Sequence, residues 1–255
     1  MIYIKKSDEI KNIMKSCDIL SQMYGILTKH IKPGVNLLDL DSIAEKFIID
    51  HGAKPACKNY HGFPNTLCIS VNEEVVHGIP TNRKLNEGDI VSIDSGVIFN
   101  GYYSDSAYTF GVGVIDSQLQ KLLDVTKQSL FIGILQAING NRVGDISFAI
   151  DEFVKKNKYR TIVEYTGHGV GKFFHEEPAV PNQGRKHHGV KLINGMTLAI
   201  EPMVSMGSEH VLVKDNGWTA VTIDFTPSAH YEHTVLITDN EPQVLTTFKY
   251  IEDNL

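Results

Sequence analysis

The sequence lacks a hydrophobic run long enough to span a bilayer, and its first nine residues carry charges where a signal peptide needs an apolar core. It also lacks an excess of basic residues, because 24 Lys and Arg stand against 30 Asp and Glu, which gives a net charge of −6. The positive surface that nucleic-acid binding requires is therefore not expected. We predict a protein that works in the cytoplasm and binds neither a membrane nor a nucleic acid.

Cysteine is scarce as well. Cys17, Cys57 and Cys68 are the only three, and none belongs to a Cys-x-x-Cys pair. An odd number of scattered cysteines argues against a disulfide framework and for a reducing compartment. It also argues against a structural zinc site built on thiolates. Hydrophobic residues make up 42% of the 255, which is enough for a full core in one large domain or two small ones.

The most informative stretch runs from residue 89 to residue 111, where two runs rich in β-branched and aromatic residues meet at Asn100-Gly101. Asn-Gly between such runs is the strongest short-range signal for a two-residue β-hairpin loop. With that loop, Phe99 faces Tyr102, and every other pairing of the two strands follows. The sequence therefore predicts both the hairpin and its register.

Two carboxylates, Asp94 and Asp105, fall on one face of this hairpin. Asp94 faces Ala107, and side chains alternate faces along a strand, so Asp105 shares that face two residues away. Such diagonal neighbours lie roughly 7–8 Å apart at Cα, within joint reach of one ion. Two like charges in one space repel unless a cation lies between them. We favour a metal site over a solvated sheet face, because Asp94 follows the buried-looking run 90–93.

Helices are predicted on both sides of the hairpin. Apolar residues at steps of three and four indicate a first helix that Ser7 caps and Pro33-Gly34 ends. The same pattern predicts a second helix over residues 38–50 and a long one over residues 116–138.

Weak internal similarity relates the two parts of the chain. His61-Gly62 recurs as His168-Gly169, and residues 88–94 resemble residues 195–201 at the same shift. The period is too long for a solenoid. We therefore predict one α+β domain over residues 1–255. It is built from two similar halves, about 1–115 and 116–255, each with two helices and a small antiparallel sheet, around a pseudo-two-fold axis and a cleft.

The second half contributes further side chains suited to that cleft. His168 lies in a glycine-rich turn, and Glu201 and Glu232 stand in buried-looking strands. Each of them alone is most simply a structural residue. Together with the two aspartates, they would be prohibitively costly to bury unpaired. Four carboxylates with one imidazole suit two first-row metal ions, with a water or hydroxide between them as nucleophile.

Eight short motifs are spread along the chain: Tyr60-His61-Gly62-Phe63-Pro64, His77-Gly78-Ile79-Pro80, Ile93-Asp94, Asp105-Ser106, Gly167-His168-Gly169-Val170-Gly171, His175-Glu176-Glu177-Pro178, Ile200-Glu201-Pro202-Met203 and Tyr231-Glu232-His233-Thr234. Together they resemble the motifs of type I methionine aminopeptidases, a family of pita-bread metallopeptidases. The similarity runs from the first helix to about residue 245. It implies an α+β pita-bread fold, in which helices cover the outer face of an antiparallel sheet.

The resemblance also implies a set of metal ligands. Asp94 would chelate one ion, Asp105 and Glu232 would bridge both ions, and His168 and Glu201 would complete the ligands of the second. The implied cofactors are two divalent ions, cobalt, manganese, iron or zinc. A monovalent cation on backbone carbonyls is implied as well, near Asn72, Glu74 and Ser228.

Catalytic and substrate-binding roles follow from the same resemblance. Glu201 would act as general base, His175 would stabilise the oxyanion, and His77 would contact the substrate backbone and the leaving amide. A methionine thioether packs well against aromatic rings. The implied methionine pocket consists of Tyr60, Phe63, Cys68, His77, Phe174 and Trp218.

The implied activity is removal of the initiator methionine from nascent polypeptides, with a preference for a small second residue. A water bridged by two metal ions would attack the scissile peptide carbonyl. The implied partners are the N-termini of nascent chains, at the ribosome, and the implied oligomeric state is a monomer.

The chain departs from the family pattern at a few positions. His230 stands where the family usually has Gln, Phe63 where many members have Tyr, and Ser104 where Gly is common. None of these changes removes a metal ligand. The role of His230 stays open, because an extra imidazole there would either tune the pH dependence or add a ligand.

Two other functions are weighed against the peptidase. A pita-bread binding module without catalysis would typically have lost metal ligands, whereas all five candidates are present. A hydrolase of X-Pro bonds would typically carry an additional amino-terminal domain, which we do not expect here.

Overall fold

The computed structural model describes all residues, 1–255, as an α+β fold with five helices and fifteen strands. The helices are α1 (Ser7–Thr28), α2 (Leu37–Asp50), α3 (Ser117–Ile134), α4 (Val143–Lys156) and α5 (Lys249–Glu252). The strands are β1 (Lys54–Pro55), β2 (Cys68–Val71), β3 (Glu74–Val76), β4 (Ile90–Phe99), β5 (Tyr102–Gly111), β6 (Arg160–Thr161), β7 (Thr166–Gly169), β8 (Glu176–Pro181), β9 (Thr197–Ile200), β10 (Met203–Ser205), β11 (Val211–Val213), β12 (Ala220–Thr222), β13 (Ser228–His230), β14 (His233–Leu236) and β15 (Gln243–Val244).

The predicted helices are present, but their ends differ from the prediction. The prediction that Ser7 caps α1 is wrong, because the Glu9 carboxylate accepts the N–H of Lys6 (2.8 Å) and the helix already begins at Ser7. Helix α3 begins one residue after Asp116, whose side chain is the N-cap, and ends at Ile134 rather than at residue 138. Its last turn tightens there, since the N–H of Ala137 donates to the carbonyl of Ile134 (2.8 Å).

Two antiparallel sheets form the centre of the molecule. In the first, β4 pairs along its whole length with β5, and its other edge pairs with β1 and β2. In the second, the strand order is β15-β14-β9-β7-β8. The two sheets meet where the N–H of Glu232 donates to the carbonyl of Ala107 (2.9 Å). This main-chain contact brings the loop between β13 and β14 onto strand β5.

Helix α1 packs against the hairpin formed by β4 and β5. The Ser16 hydroxyl donates to the carbonyl of Val97 (2.8 Å), and the Tyr24 hydroxyl donates to the carbonyl of Ile93 (3.0 Å). A single cluster of 44 buried apolar residues runs from Ile19 in α1 to Ile251 in α5. Burial of this cluster fixes the strands that carry the polar cleft. No helix is both long and apolar enough to cross a membrane.

Candidate active site

One cavity of about 440 Å³ opens between the two sheets. All twelve site residues that the sequence and the resemblance singled out line it: Tyr60, Phe63, Cys68, His77, Asp94, Asp105, His168, Phe174, His175, Glu201, Trp218 and Glu232. The cavity therefore combines carboxylates and imidazoles with aromatic and thiol groups.

The hairpin sets the positions of the two aspartates. Phe99 pairs with Tyr102 and Asp94 with Ala107, so the register predicted from Asn100-Gly101 is confirmed. Asp105 pairs with Gly96, which makes it the diagonal neighbour of Asp94 on one face of the sheet. The N–H of Asp105 donates to the hydroxyl of Thr234 (3.0 Å), and this bond ties β5 to the second sheet.

His168 projects from β7 with its Nε2 atom towards two carboxylates. Its Nδ1 lies 2.9 Å from the carbonyl of Gly169. A carbonyl can only accept, so Nδ1 carries a proton, and the lone pair of the neutral ring is then on Nε2. Nε2 lies 3.5 Å from Asp105 Oδ2 and 3.5 Å from Glu201 Oε1. This is the orientation that a metal-binding imidazole needs.

Burial makes the charged forms of these carboxylates costly. Desolvation, reinforced by the charge of Asp105, raises the pKa of Asp94 well above its ordinary value. Desolvation and the charges of Asp105 and Glu201 do the same to the pKa of Glu232. Desolvation also raises the pKa of Asp105, although His168 opposes it. Without a bound cation, these carboxylates therefore bind protons more tightly than ordinary carboxylates do.

The donor atoms fit a pair of divalent metal ions. Ligand atoms of Asp94, Asp105 and Glu232 all lie within 4.8 Å of one another, and so do those of His168, Glu201 and Glu232. Glu232 belongs to both groups, and its Oε1 is buried without a hydrogen-bond partner. A buried carboxylate oxygen without a partner is costly, and a cation would satisfy it. Carboxylate oxygens with one imidazole suit manganese, iron, cobalt or zinc.

His175 stands at the rim of the cavity, directly before β8. Its ring stacks on Phe174, with centroids 4.9 Å apart, and lies 4.2 Å from the ring of His168. The Tyr60 hydroxyl lies 3.2 Å from His175 Nδ1. Desolvation, together with the nearby His168, lowers the pKa of His175, so its imidazole is neutral at pH 7.

The apolar end of the cavity has a small core of its own. Cys57, Phe63, Cys68 and Phe174 pack together, with Trp218 against them. Phe63 and Trp218 meet edge to face with centroids 5.2 Å apart. The Cys57 thiol and burial raise the pKa of Cys68 well above its ordinary value, so the thiol stays neutral. The pocket wall is therefore uncharged.

His77 lines the cavity, with the centroid of its ring 6.3 Å from that of Trp218. It follows β3 with a positive φ of 58°, and its ring lies edge-on to Tyr165 with centroids 5.2 Å apart. The next residue, Gly78, is packed so tightly that a Cβ there would come within 2.0 Å of the Ile69 carbonyl oxygen. This close approach holds the His77 backbone in place.

Seven further residues line the cavity, and sequence reasoning did not select them: Cys57, His61, Val76, Glu164, Tyr165, Thr166 and Met203. His61 and Met203 belong to motifs that were recognised, and Tyr165 and Thr166 precede the glycine-rich motif. Their place in or next to these motifs was the sequence signal that could have identified them as cavity residues. Apolar residues such as Val76 carry no pattern that separates a pocket wall from a core.

His230 lies behind Glu201. It is 1% exposed, and neither ring nitrogen has a hydrogen-bond partner. Its Nε2 is 3.4 Å from Glu201 Oε2, while the other oxygen of Glu201 faces His168. Glu201 is thus flanked by two imidazoles.

At the position proposed for a monovalent cation, the N–H of Ser228 donates to the carbonyl of Asn72 (2.9 Å).

Comparison with known proteins bears on this geometry. The sequence matches metallopeptidase family M24 over residues 11–239. It is 49% identical to a methionine aminopeptidase of Clostridium perfringens over 98% of this chain and 100% of that protein. It is 46% identical to methionine aminopeptidase 1 of Bacillus subtilis over 96% of this chain and 99% of that protein.

Solved structures agree with the sequence comparison. The methionine aminopeptidase of Thermotoga maritima matches with a TM-score of 0.95 and 44% identity, over 97% of this chain and 100% of that one. A prolidase of Pyrococcus furiosus shares the fold, with a TM-score of 0.79 and 24% identity over 96% of this chain and 65% of that one. The predicted α+β pita-bread fold and the predicted resemblance are confirmed. The chain belongs to metallopeptidase family M24.

Proposed function

We propose that the protein is a methionine aminopeptidase that hydrolyses the first peptide bond of chains beginning with methionine. The supporting observation is the make-up of one cavity, whose acidic end suits metal ions and a free α-amine and whose apolar end suits a thioether. The hydrolysed bond would lie between the two ends. Removal of the initiator methionine from nascent polypeptides is the biological form of this reaction.

Five side chains would hold the metal: Asp94, Asp105, His168, Glu201 and Glu232. We propose two divalent ions, cobalt, manganese, iron or zinc. Glu232 belongs to both groups of close donor atoms described above, and the family resemblance implies that Asp105 would be shared as well. When bound, such ions polarise a carbonyl oxygen and lower the pKa of water.

Glu201 would take the proton from the attacking water. His168 Nε2 lies 3.5 Å from one of its oxygens and His230 Nε2 lies 3.4 Å from the other. The carboxylate thus lies between two imidazoles at the acidic end of the cavity. A base fixed there can later return the proton to the leaving amine.

His175 would donate a hydrogen bond to the developing oxyanion. The Tyr60 hydroxyl is placed to donate to Nδ1 across 3.2 Å, and this bond would leave the proton of the neutral ring on Nε2. A neutral imidazole with a fixed Nε2–H is a suitable donor to the carbonyl oxygen. His77, which also lines the cavity, would contact the substrate backbone and the leaving amide.

Specificity would come from the apolar end. Phe63, Cys68, Phe174 and Trp218 would enclose the methionine side chain, with Tyr60 at the rim. Aromatic rings and neutral thiols favour a polarizable thioether over a charged side chain. We further propose a preference for a small second residue.

We also propose that the chain forms one catalytic domain and acts as a cytoplasmic monomer on nascent N-termini at the ribosome. The net charge of −6 argues against direct binding to nucleic acid or to an anionic membrane. A monovalent cation near Asn72, Glu74 and Ser228 is part of the same proposal.

Release of methionine from the peptide Met-Ala-Ser tests the proposed function. We expect release that a chelator abolishes and that added divalent metal restores. Asp105→Ala should lose activity, whereas Asp253→Ala, which changes an exposed aspartate near the C-terminus, should keep it. Absence of release with each of the four metals, or faster cleavage of Ala-Pro than of Met-Ala, would refute the proposal.

A further inference from the structure

A buried ion pair joins the N-terminal segment to the part of the chain that carries His175. Lys5 Nζ lies 2.5 Å from Glu176 Oε2, although the two residues are 171 positions apart. The side chains are 3% and 0% exposed. Neither residue lines the cavity, so the pair is separate from the proposed metal ligands and pocket.

Glu176 closes the turn that presents His175 to the cavity. Its second oxygen, Oε1, accepts the N–H of Lys172 (2.6 Å) and the N–H of Phe173 (2.9 Å). The Glu176 carboxylate therefore holds the start of the turn, and His175 directly precedes Glu176 in sequence. Because Glu176 divides its oxygens between the turn and Lys5, the position of the ammonium sets the position of the turn.

Lys5 is itself held firmly. Its N–H donates to the carbonyl of Gly195 (2.8 Å), and its Nζ donates to the carbonyl of Tyr3 (3.3 Å). Gly171 leaves room for its stem, since a Cβ there would come within 2.8 Å of Lys5 Cε. A buried charge that loses its partner is strongly destabilising, so Glu176 cannot simply be left alone.

We propose that Lys5 is a positioning residue for His175. Through Glu176 it fixes the turn 172–176, and the turn fixes the imidazole that faces Tyr60. This inference rests on the oxyanion role proposed for His175. It assigns the N-terminal segment a part in catalysis although that segment lies outside the cavity.

A double-mutant cycle with Lys5→Met and His175→Ala tests this proposal. Methionine has a similar length and no charge. In the otherwise unchanged enzyme, Lys5→Met should lower kcat/KM roughly 10-fold, a part of the 10²–10³-fold cost of removing an oxyanion donor. In the His175→Ala enzyme the same change should cost less than about 2-fold, because the group it positions is gone. Lys6→Met, at the exposed neighbouring residue, is the matched control and should leave both values unchanged.

A merely structural role predicts a different pattern. It would lower kcat/KM by the same factor in both backgrounds, and that result would overturn the proposal, as would no loss from Lys5→Met. If His175→Ala alone costs nothing, the role assigned to His175 fails, and the positioning inference fails with it. If the unchanged enzyme releases no methionine, the proposed function itself fails.

Amide hydrogen exchange gives a readout that needs no activity. The amides of Lys172 and Phe173 donate to Glu176 and should exchange at least several-fold faster in Lys5→Met than in Lys6→Met. Unchanged exchange would overturn the proposal. Lys5→Arg, which keeps the charge, serves where Lys5→Met does not fold. It should show a smaller loss of kcat/KM that again disappears in the His175→Ala background.

Discussion

Asp94 and Glu232 flank the same residue, Ala107, from opposite sides. Asp94 is its partner across the hairpin, and Glu232 is bridged to it from the second sheet. Ala107 is 0% exposed, and ligand atoms of the two carboxylates lie within 4.8 Å of one another. The main chain, rather than the flexibility of long side chains, thus brings together carboxylates from the two sheets. Preorganisation of this kind is what a metal site requires.

Metal binding should release protons. The pKa values of Asp94 and Glu232 are raised well above normal by burial and by neighbouring carboxylates, so the metal-free cluster binds protons more tightly than ordinary carboxylates do. A bound cation must displace them. Calorimetric titration of the metal-free protein with Mn²⁺ at pH 7, in buffers of different ionisation enthalpy, should show net proton release. The same binding enthalpy in every buffer would contradict this expectation.

Removal of His175 should affect catalysis more than binding. His175→Ala deletes the proposed oxyanion donor and should lower kcat by about 10²–10³-fold with little change in KM. Steady-state kinetics on Met-Ala-Ser measures this. His61→Ala is the control, because His61 is also an exposed histidine that lines the cavity but has no role in the proposed reaction. Equal losses in the two variants would argue against the role of His175.

Gly96 should be required for the shape of the proposed methionine pocket. A Cβ at this position would lie 2.5 Å from Phe174 Cε2 and 2.8 Å from the Ser104 carbonyl oxygen. Gly96→Ala should push Phe174 into the cavity, raise KM roughly 10-fold and cost about 1–3 kcal/mol of stability. Gly111→Ala, on the same hairpin, is the control. The nearest atoms to a Cβ at this position belong to the flexible side chain of Ile115, so the substitution should change neither KM nor stability. An unchanged KM in Gly96→Ala would refute the assignment of Phe174 to the pocket.

His233 should make the metal-free protein less stable in acid. Its buried ring stacks on Phe248 with centroids 3.9 Å apart, and desolvation lowers its pKa to about 3. The unfolded chain binds a proton near pH 6.5 whereas the folded protein does not, so stability falls as pH drops below 6.5. The loss from this residue is about 2 kcal/mol at pH 5.

Urea unfolding of the metal-free protein at pH 7 and pH 5 measures this loss. The difference between the two pH values should shrink by about 2 kcal/mol in His233→Gln, while His30→Gln, at an exposed histidine, should leave it unchanged. An unaltered difference in His233→Gln would mean that the His233 ring is protonated in the folded state.

The hairpin was the most predictable element, and the helix ends were the least. Asn100-Gly101 fixes the loop by its backbone preferences, and a two-residue loop leaves one register, so the pairing of Asp94 with Ala107 followed from sequence alone. The end of α3 did not follow, because apolar spacing continues past Ile134 although the backbone tightens there.

Contacts between distant parts of the chain could not be predicted from spacing. Nothing in the sequence indicates that Lys5 reaches Glu176, or that the loop at Glu232 pairs with Ala107. The gathering of Asp94, His168 and Glu232 was expected only because burying them singly would be costly and because their motifs resemble a known family. Their individual roles remain predictions.

Anomalous X-ray scattering from crystals of the manganese-loaded protein tests the central claim most directly. Data collected at the manganese edge should show two peaks about 3.5–4 Å apart. Both should lie among Asp94, Asp105, His168, Glu201 and Glu232. No peak within reach of these five side chains, or a fully occupied peak elsewhere with this cluster empty, would contradict the account.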